Sequence, residues 1–131
     1  MRSTEKLGHL KTSLDDRGRA FPFISPGEDG SESMNFGDKR GDVHPAFTMV
    51  TTIFLRNHNR LAEMISLKHP GWNDEQVFQE ARKFNIALWQ NVVYGQWLEA
   101  LLGDLNAFEH NAYNEQVDGS INMAFSTATF R

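Results

Sequence analysis

The chain has 131 residues, of which 40% are hydrophobic, and a formal net charge of −4, a balance that suits one small soluble domain with enough apolar residues for a core. The mild acidity and scattered lysines and arginines provide no basic face, which argues against nucleic acid as a main partner. With no cysteine in the chain, disulfides, thiolate metal sites and cysteine nucleophiles are excluded together. The compartment stays open, because a secreted segment can simply lack cysteine.

At the N-terminus, Met1-Arg2-Ser3-Thr4-Glu5-Lys6 has no apolar stretch behind it and so is not a secretory signal peptide. No run of about eighteen apolar residues follows anywhere, so no membrane-spanning helix is expected within the chain. No Asn-X-Ser/Thr sequon marks a glycosylated surface. From Met1 to His44 the chain is polar, and Gly8, Asp16, Gly18, Pro22, Pro26, Gly27, Gly30 and Gly37 are spaced too closely for long helices. This third is expected to be irregular and to hug the surface, anchored by Phe21, Phe23 and Ile24. At most it holds a short strand pair around Lys11 to Leu14.

The pattern turns helical at Pro45, which suits a first turn where its missing N–H costs little. Phe47, Val50, Phe54, Leu61 and Met64 or Ile65 recur at helical intervals on one face, and Pro70 and Gly71 stop this helix. Asn73 is a good N-cap, with Gln76 placed for a capping box, and a long helix is predicted to run to about Leu102 before Gly103 ends it. Gly95 inside that run weakens it by about 1 kcal/mol relative to alanine. After a loop rich in asparagine and acidic residues, Asp118 or Ser120 is expected to cap a final helix through Phe130. The fold class is all-α with an irregular N-terminal third, and the chain contains no internal repeat or low-complexity segment.

Residue types alone leave the chemistry open. An arginine in a Gly/Asp-rich turn, as Arg40 is, ordinarily reads as a solvated charge. His9, His44, His69 and His110 are isolated, lack an HxxxH or HExxH partner, and read as surface residues, so no metal site is assigned to them. Trp72, Trp89, Trp97 and Tyr94 lie at helical spacing and read as core rather than as an electron-transfer chain.

Two strings point further. GDKRGDVHPAFTMVTTIFLRNHNRLA (37–62) and HPGWNDEQVFQEARKFNIALWQNVVYGQWLEALLG (69–103) resemble the peroxidase domain of the animal haem peroxidase family, which includes myeloperoxidase-like enzymes, peroxinectins, dual oxidase domains and, more distantly, cyclooxygenases. The resemblance runs from about Ser3 to Arg131. It implies that the chain is a partial haem peroxidase domain over 1–131, truncated at both ends, with an irregular segment carrying a distal arginine turn over 1–44 and a helical part over 45–131.

In that family a distal histidine moves a proton and a distal arginine stabilises the charge on the departing peroxide oxygen. Arg40 occupies the arginine's place, in register with His58-Asn59-Arg60, and is the expected catalytic residue. A guanidinium suits the task because it stays cationic and presents several fixed donors. The resemblance places Arg131 three residues before the proximal histidine, as a candidate contact to the haem carboxylates; a helix-terminal surface cation is the alternative reading. His58 is expected to pack in or near the core rather than to bind iron.

The expected cofactor is haem b, with both axial ligands outside this chain, and calcium belongs to the parent protein only. Val43 stands where the mammalian granule enzymes carry a glutamate esterified to haem, so attachment through this segment would be non-covalent. Thr51, where those enzymes have histidine, is a second departure.

The implied function is a peroxidase that reduces hydrogen peroxide while oxidising a small donor or protein tyrosines, in an extracellular setting. Two alternatives are a non-catalytic interaction domain of the dual oxidase type and a haem fatty-acid dioxygenase. No membrane contact within this chain is implied. Integrin binding by Arg40-Gly41-Asp42 is not expected, since one arginine cannot face a buried haem and an integrin at once.

Overall fold

The computed structural model describes residues 2–26, 30, 32–36, 38–103 and 113–129. Two small hairpins precede the helices. Strand β1 (Thr12–Leu14) pairs antiparallel with β2 (Ala20–Pro22), Thr12 opposite Pro22 and Leu14 opposite Ala20. Asp15 closes this hairpin: its Oδ1 accepts from the amides of Arg17 and Arg19 at 3.0 and 2.7 Å, and its Oδ2 accepts from Arg19 Nε at 2.7 Å. Gly18 supplies the left-handed residue of the turn, at φ +73°. The strand pair expected around Lys11 to Leu14 is therefore present.

A second hairpin, β3 (Ile24–Pro26) with β4 (Glu32–Met34), was not anticipated. Three-residue strands are too short for alternation to register, and Pro26 counts against a strand in a sequence reading. Of the expected anchors, Phe21, Phe23 and Ile24 are all half-buried, and the Lys11 ammonium lies 3.8 Å from the centre of the Phe23 ring.

Helix α1 spans Pro45–Lys68, with Pro45 in its first turn and His44 as N-cap. The His44 Nδ1 accepts from the Ala46 amide at 3.1 Å, satisfying one of the donors that the helix start leaves open. Helix α2 spans Asp74–Val92 behind the expected capping box: Asn73 Oδ1 accepts from the Gln76 amide at 2.9 Å, and Gln76 Oε1 accepts from the Asn73 amide at 3.0 Å. Asp74 and Glu75 in the first turn complement the helix dipole.

The predicted run to Leu102 has the right extent but not a uniform winding. A single π-helical turn, Val93–Trp97, carries Gly95 and leads into α3 (Leu98–Leu102), which Gly103 ends at φ +80°.

Helices α1 and α2 pack through small residues. Ala62, Val77 and Ala81 are fully buried, with Leu61, Ile65 and Trp72 against them. Beside this core Asn57 Nδ2 donates to Asn85 Oδ1 at 2.8 Å, and Asn85 Nδ2 donates to the Phe54 carbonyl at 3.1 Å, tying the helices by polar bonds. Phe54 meets Trp89 edge to face at 5.0 Å.

The apolar face predicted for α1 is only partly buried. Val50, Phe54, Leu61 and Ile65 are half-buried, whereas Phe47 and Met64 are exposed. Trp89, Tyr94 and Trp97, read as core, are also exposed, and only Trp72 packs on the core. Two helices bury one stripe each, and their apolar residues extend beyond that stripe.

The last helical turn begins at Met123 and continues as a π-helical turn over Phe125–Thr129. Its start is held by Asn122, whose Oδ1 accepts from the Ala124 amide at 2.8 Å. Neither Asp118 nor Ser120 caps it; Asp118 Oδ1 instead accepts from the Ser120 amide at 2.9 Å, closing an earlier turn. Among the described residues no helix is long and apolar enough to cross a membrane.

Candidate functional site

Within the string Arg56-Asn57-His58-Asn59-Arg60, Arg56, His58 and Asn59 bond to the N-terminal segment and fasten it to α1, while Asn57 turns to α2. Asn59 brackets Leu10 on both sides, accepting from its amide at 2.8 Å and donating to its carbonyl at 3.0 Å. His58 is 2% exposed, and its Nε2 lies 2.9 Å from the Gly8 carbonyl. A carbonyl only accepts, so Nε2 carries the proton in this bond. Arg56 Nε donates to the Ala20 carbonyl.

From the other side Asp74 Oδ1 accepts from the Gly8 amide at 2.6 Å, and Arg2 bridges Asp74 and Glu75 while lying over the Phe78 ring. The Gly8 amide first, and Arg2 after it, hold the Asp74 carboxyl below the usual carboxylate range. His58 therefore packs as expected, in a structural role.

His9, isolated in the sequence and expected at the surface, is buried. It is 9% exposed, drawn in because its neighbours Gly8 and Leu10 are both tied to the helices. Burial lowers the pKa of both His9 and His58; Lys6 lowers that of His9 further, and Arg2 that of His58. His44 serves as a helix cap, and His69 stacks on Trp72 at 4.1 Å. His110 and Arg131 lie outside the described residues. An open groove of about 560 Å³ runs between residues 3–12 and α1, with Lys6, Lys11, Arg56, Arg60, Glu5 and Glu63 on its walls; Arg40 is not part of it.

Arg40 sits in a 3₁₀ turn, Lys39–Asp42, directly before α1. Asp38 caps that turn, its Oδ1 accepting from the Arg40 amide at 2.9 Å. The same carboxylate holds the guanidinium, with Arg40 Nε at 3.0 and 3.2 Å from its two oxygens and Nη2 at 2.6 Å from Oδ2. The guanidinium and the Arg40 amide hold the Asp38 carboxyl down to about 2, and the Arg40 pKa is raised in turn.

The turn itself is pinned from two sides. Thr48 Oγ1 donates to the Gly41 carbonyl at 3.2 Å, and Gly41 lies so close to Phe36 that an added Cβ would stand 2.6 Å from its ring. The Arg40 side chain is 88% exposed and is followed along the chain by exposed Val43 and Phe47. Asp38 was missed in the sequence, although an aspartate two residues before an arginine at a turn start is a recognisable cap. Among the described residues no group of three or more His, Asp or Glu side chains is gathered to hold a metal ion.

Comparison with known proteins places these strings in a family. The family model described as animal haem peroxidase matches residues 1–131. Heme peroxidase 2 of Caenorhabditis elegans is 34% identical to 91% of this chain, and peroxinectin A of Dictyostelium discoideum is 31% identical to 95% of it. The alignments cover 19% and 25% of those proteins, so the chain spans about a fifth to a quarter of their length. The solved structure of peroxidase A from Dictyostelium discoideum superposes with a TM-score of 0.75 at 28% identity, over 94% of this chain and 25% of that one. A match of this extent in both sequence and fold shows that the chain belongs to the animal haem peroxidase family.

Proposed function

We propose that this chain forms part of the distal wall of the haem cavity in a peroxidase that reduces hydrogen peroxide and oxidises a small donor or protein tyrosines. The observation that carries the proposal is the Arg40 turn. A permanently charged guanidinium stands at the head of α1, one edge engaged by Asp38 and the rest of its donors open.

The donor set fits a haem group of which this chain supplies one side. Arg40 provides a fixed cation, and the exposed apolar residues Val43 and Phe47 after it offer a surface for a flat apolar ligand. Of the two histidines at the head and middle of α1, His44 turns Nδ1 into its own helix and His58 is buried and bonded to Gly8. By resemblance to the family, axial ligation is assigned to residues outside this chain. Haem b, when bound, supplies the redox chemistry of peroxide cleavage and donor oxidation.

This chain's part is electrostatic. Arg40 presents N–H donors to the oxygen on which negative charge builds, and a donor held in place beforehand needs no reorganisation as that charge appears. With Val43 in place of an acidic residue, this segment forms no ester link to the haem. Non-covalent haem, calcium bound only in the parent, and an extracellular setting complete the reading.

The test is reconstitution of the full-length parent with haem. The expected result is an intense Soret band and oxidation of a phenolic donor that requires peroxide. A parent that takes up no haem, or takes it up without peroxide-dependent turnover, overturns the proposal in favour of an interaction domain.

A further inference from the structure

We infer that Asp38 is a positioning residue for Arg40: it grips the guanidinium along its Nε edge and so turns the remaining donors out of the turn towards the reacting peroxide oxygen. This inference rests on Arg40 being the distal arginine. Its own warrant is that one carboxylate fixes both ends of Arg40, the backbone amide at 2.9 Å and the guanidinium at 2.6 to 3.2 Å. A two-point contact between a planar guanidinium and a carboxylate sets direction as well as distance.

The base of the unit is equally constrained, since Gly41 lies hard against Phe36 and its carbonyl is held by Thr48. The cap of the turn accounts for the bond to the Arg40 amide, but an exposed ion pair contributes little to folding stability, so stability does not account for the grip on the guanidinium. Orientation does. An arginine has several rotatable bonds, and a donor left free to swing would lose much of its effect on the developing charge. The carboxylate titrates at about 2 and stays ionised throughout any working range.

Asp38→Asn separates the two contacts, because its amide oxygen still caps the turn while the charged grip is lost. In the full-length, haem-loaded protein, Asp38→Asn is expected to slow the second-order reaction with peroxide about tenfold, with haem content and the KM for the electron donor unchanged. In an Arg40→Ala background the same change is expected to have no further effect. If Arg40→Ala leaves the peroxide reaction untouched, the reading of Arg40 fails and the inference with it. If Arg40→Ala slows the reaction while Asp38→Asn does not, the inference alone fails.

A second readout needs neither haem nor turnover. The Asp38 carboxyl, followed by carbon NMR, is expected to titrate far below the ordinary carboxylate range and to rise in Arg40→Ala without reaching the free value, because the residue-40 amide still donates to Oδ1. Ordinary titration of Asp38 in the unaltered protein would overturn the pairing itself.

Discussion

Gly8→Ala tests the junction on which the N-terminal third depends, and Gly18→Ala is its control. Both glycines occupy the left-handed region, at φ +69° and +73°, where a Cβ costs about 1–2 kcal/mol. Around Gly18 nothing lies within 4 Å of an added Cβ, so backbone strain is its whole cost. At Gly8 the new atom would stand 2.5 Å from Val77 Cγ1 and 2.8 Å from the Phe78 backbone nitrogen.

Val77 is fully buried, and the Phe78 nitrogen belongs to the α2 backbone, so neither yields without moving the helix. Overpacking of this kind adds about 1–3 kcal/mol, for a total of about 2–5 kcal/mol. Because the shift in Tm scales with the loss of stability, Gly8→Ala should lower Tm by about twice as much as Gly18→Ala. Thermal unfolding by far-UV circular dichroism, with both variants run side by side, measures the difference. Equal losses, or a larger loss at Gly18, would refute the claim that residues 2–10 are seated against α2 by close approach at Gly8.

Two further outcomes follow from the same junction. Asn59→Ala leaves the amide and carbonyl of Leu10 without their partner, at a cost of about 1–3 kcal/mol, and trypsin should then cut after Lys6 and Lys11 faster; unchanged cleavage would show that Asn59 does not hold the segment. His9 and His58 have folded pKa values lowered mainly by burial, so the unfolded chain takes up protons first as pH falls through about 6.5. Stability is therefore complete above that value and declines as pH drops towards the folded values, which urea midpoints in neutral and mildly acidic buffer, with His58→Gln for comparison, will register as a loss on the acid side that the variant reduces.

Where local chemistry decides a structure, the sequence is readable. Pro45 opens α1, Pro70 and Gly71 close it, and Asn73 with Gln76 builds the box that starts α2. Each of these acts within one turn of chain. The misreadings depend on contacts far apart in sequence or on choices among near-equal caps. His9 is buried only because Gly8 meets Asp74 and Leu10 meets Asn59, at separations of 66 and 49 residues. The exposure of Trp89 follows from which stripe of α2 meets α1, and periodicity alone does not say how wide that stripe is; Tyr94 and Trp97 lie past the end of α2, in the π-helical turn. At the last helical turn Asn122, Asp118 and Ser120 are all competent caps, and the chain uses Asn122.

The candidate site divides the same way. Composition makes Arg40 an ordinary turn arginine, and only the family register with His58-Asn59-Arg60 carries the role proposed for it. Its partner Asp38 needed no register, because it lies two residues away in a cap position.

The most direct measurement is the second-order rate constant for hydrogen peroxide in the full-length, haem-loaded protein and in Arg40→Ala, by stopped flow, with haem content determined from the Soret band of each. If Arg40 supplies the donors for the departing oxygen, the rate constant falls by about 10²-fold or more while haem remains bound. An unchanged rate constant at equal haem content would remove Arg40 from the reaction and leave its turn a structural feature only.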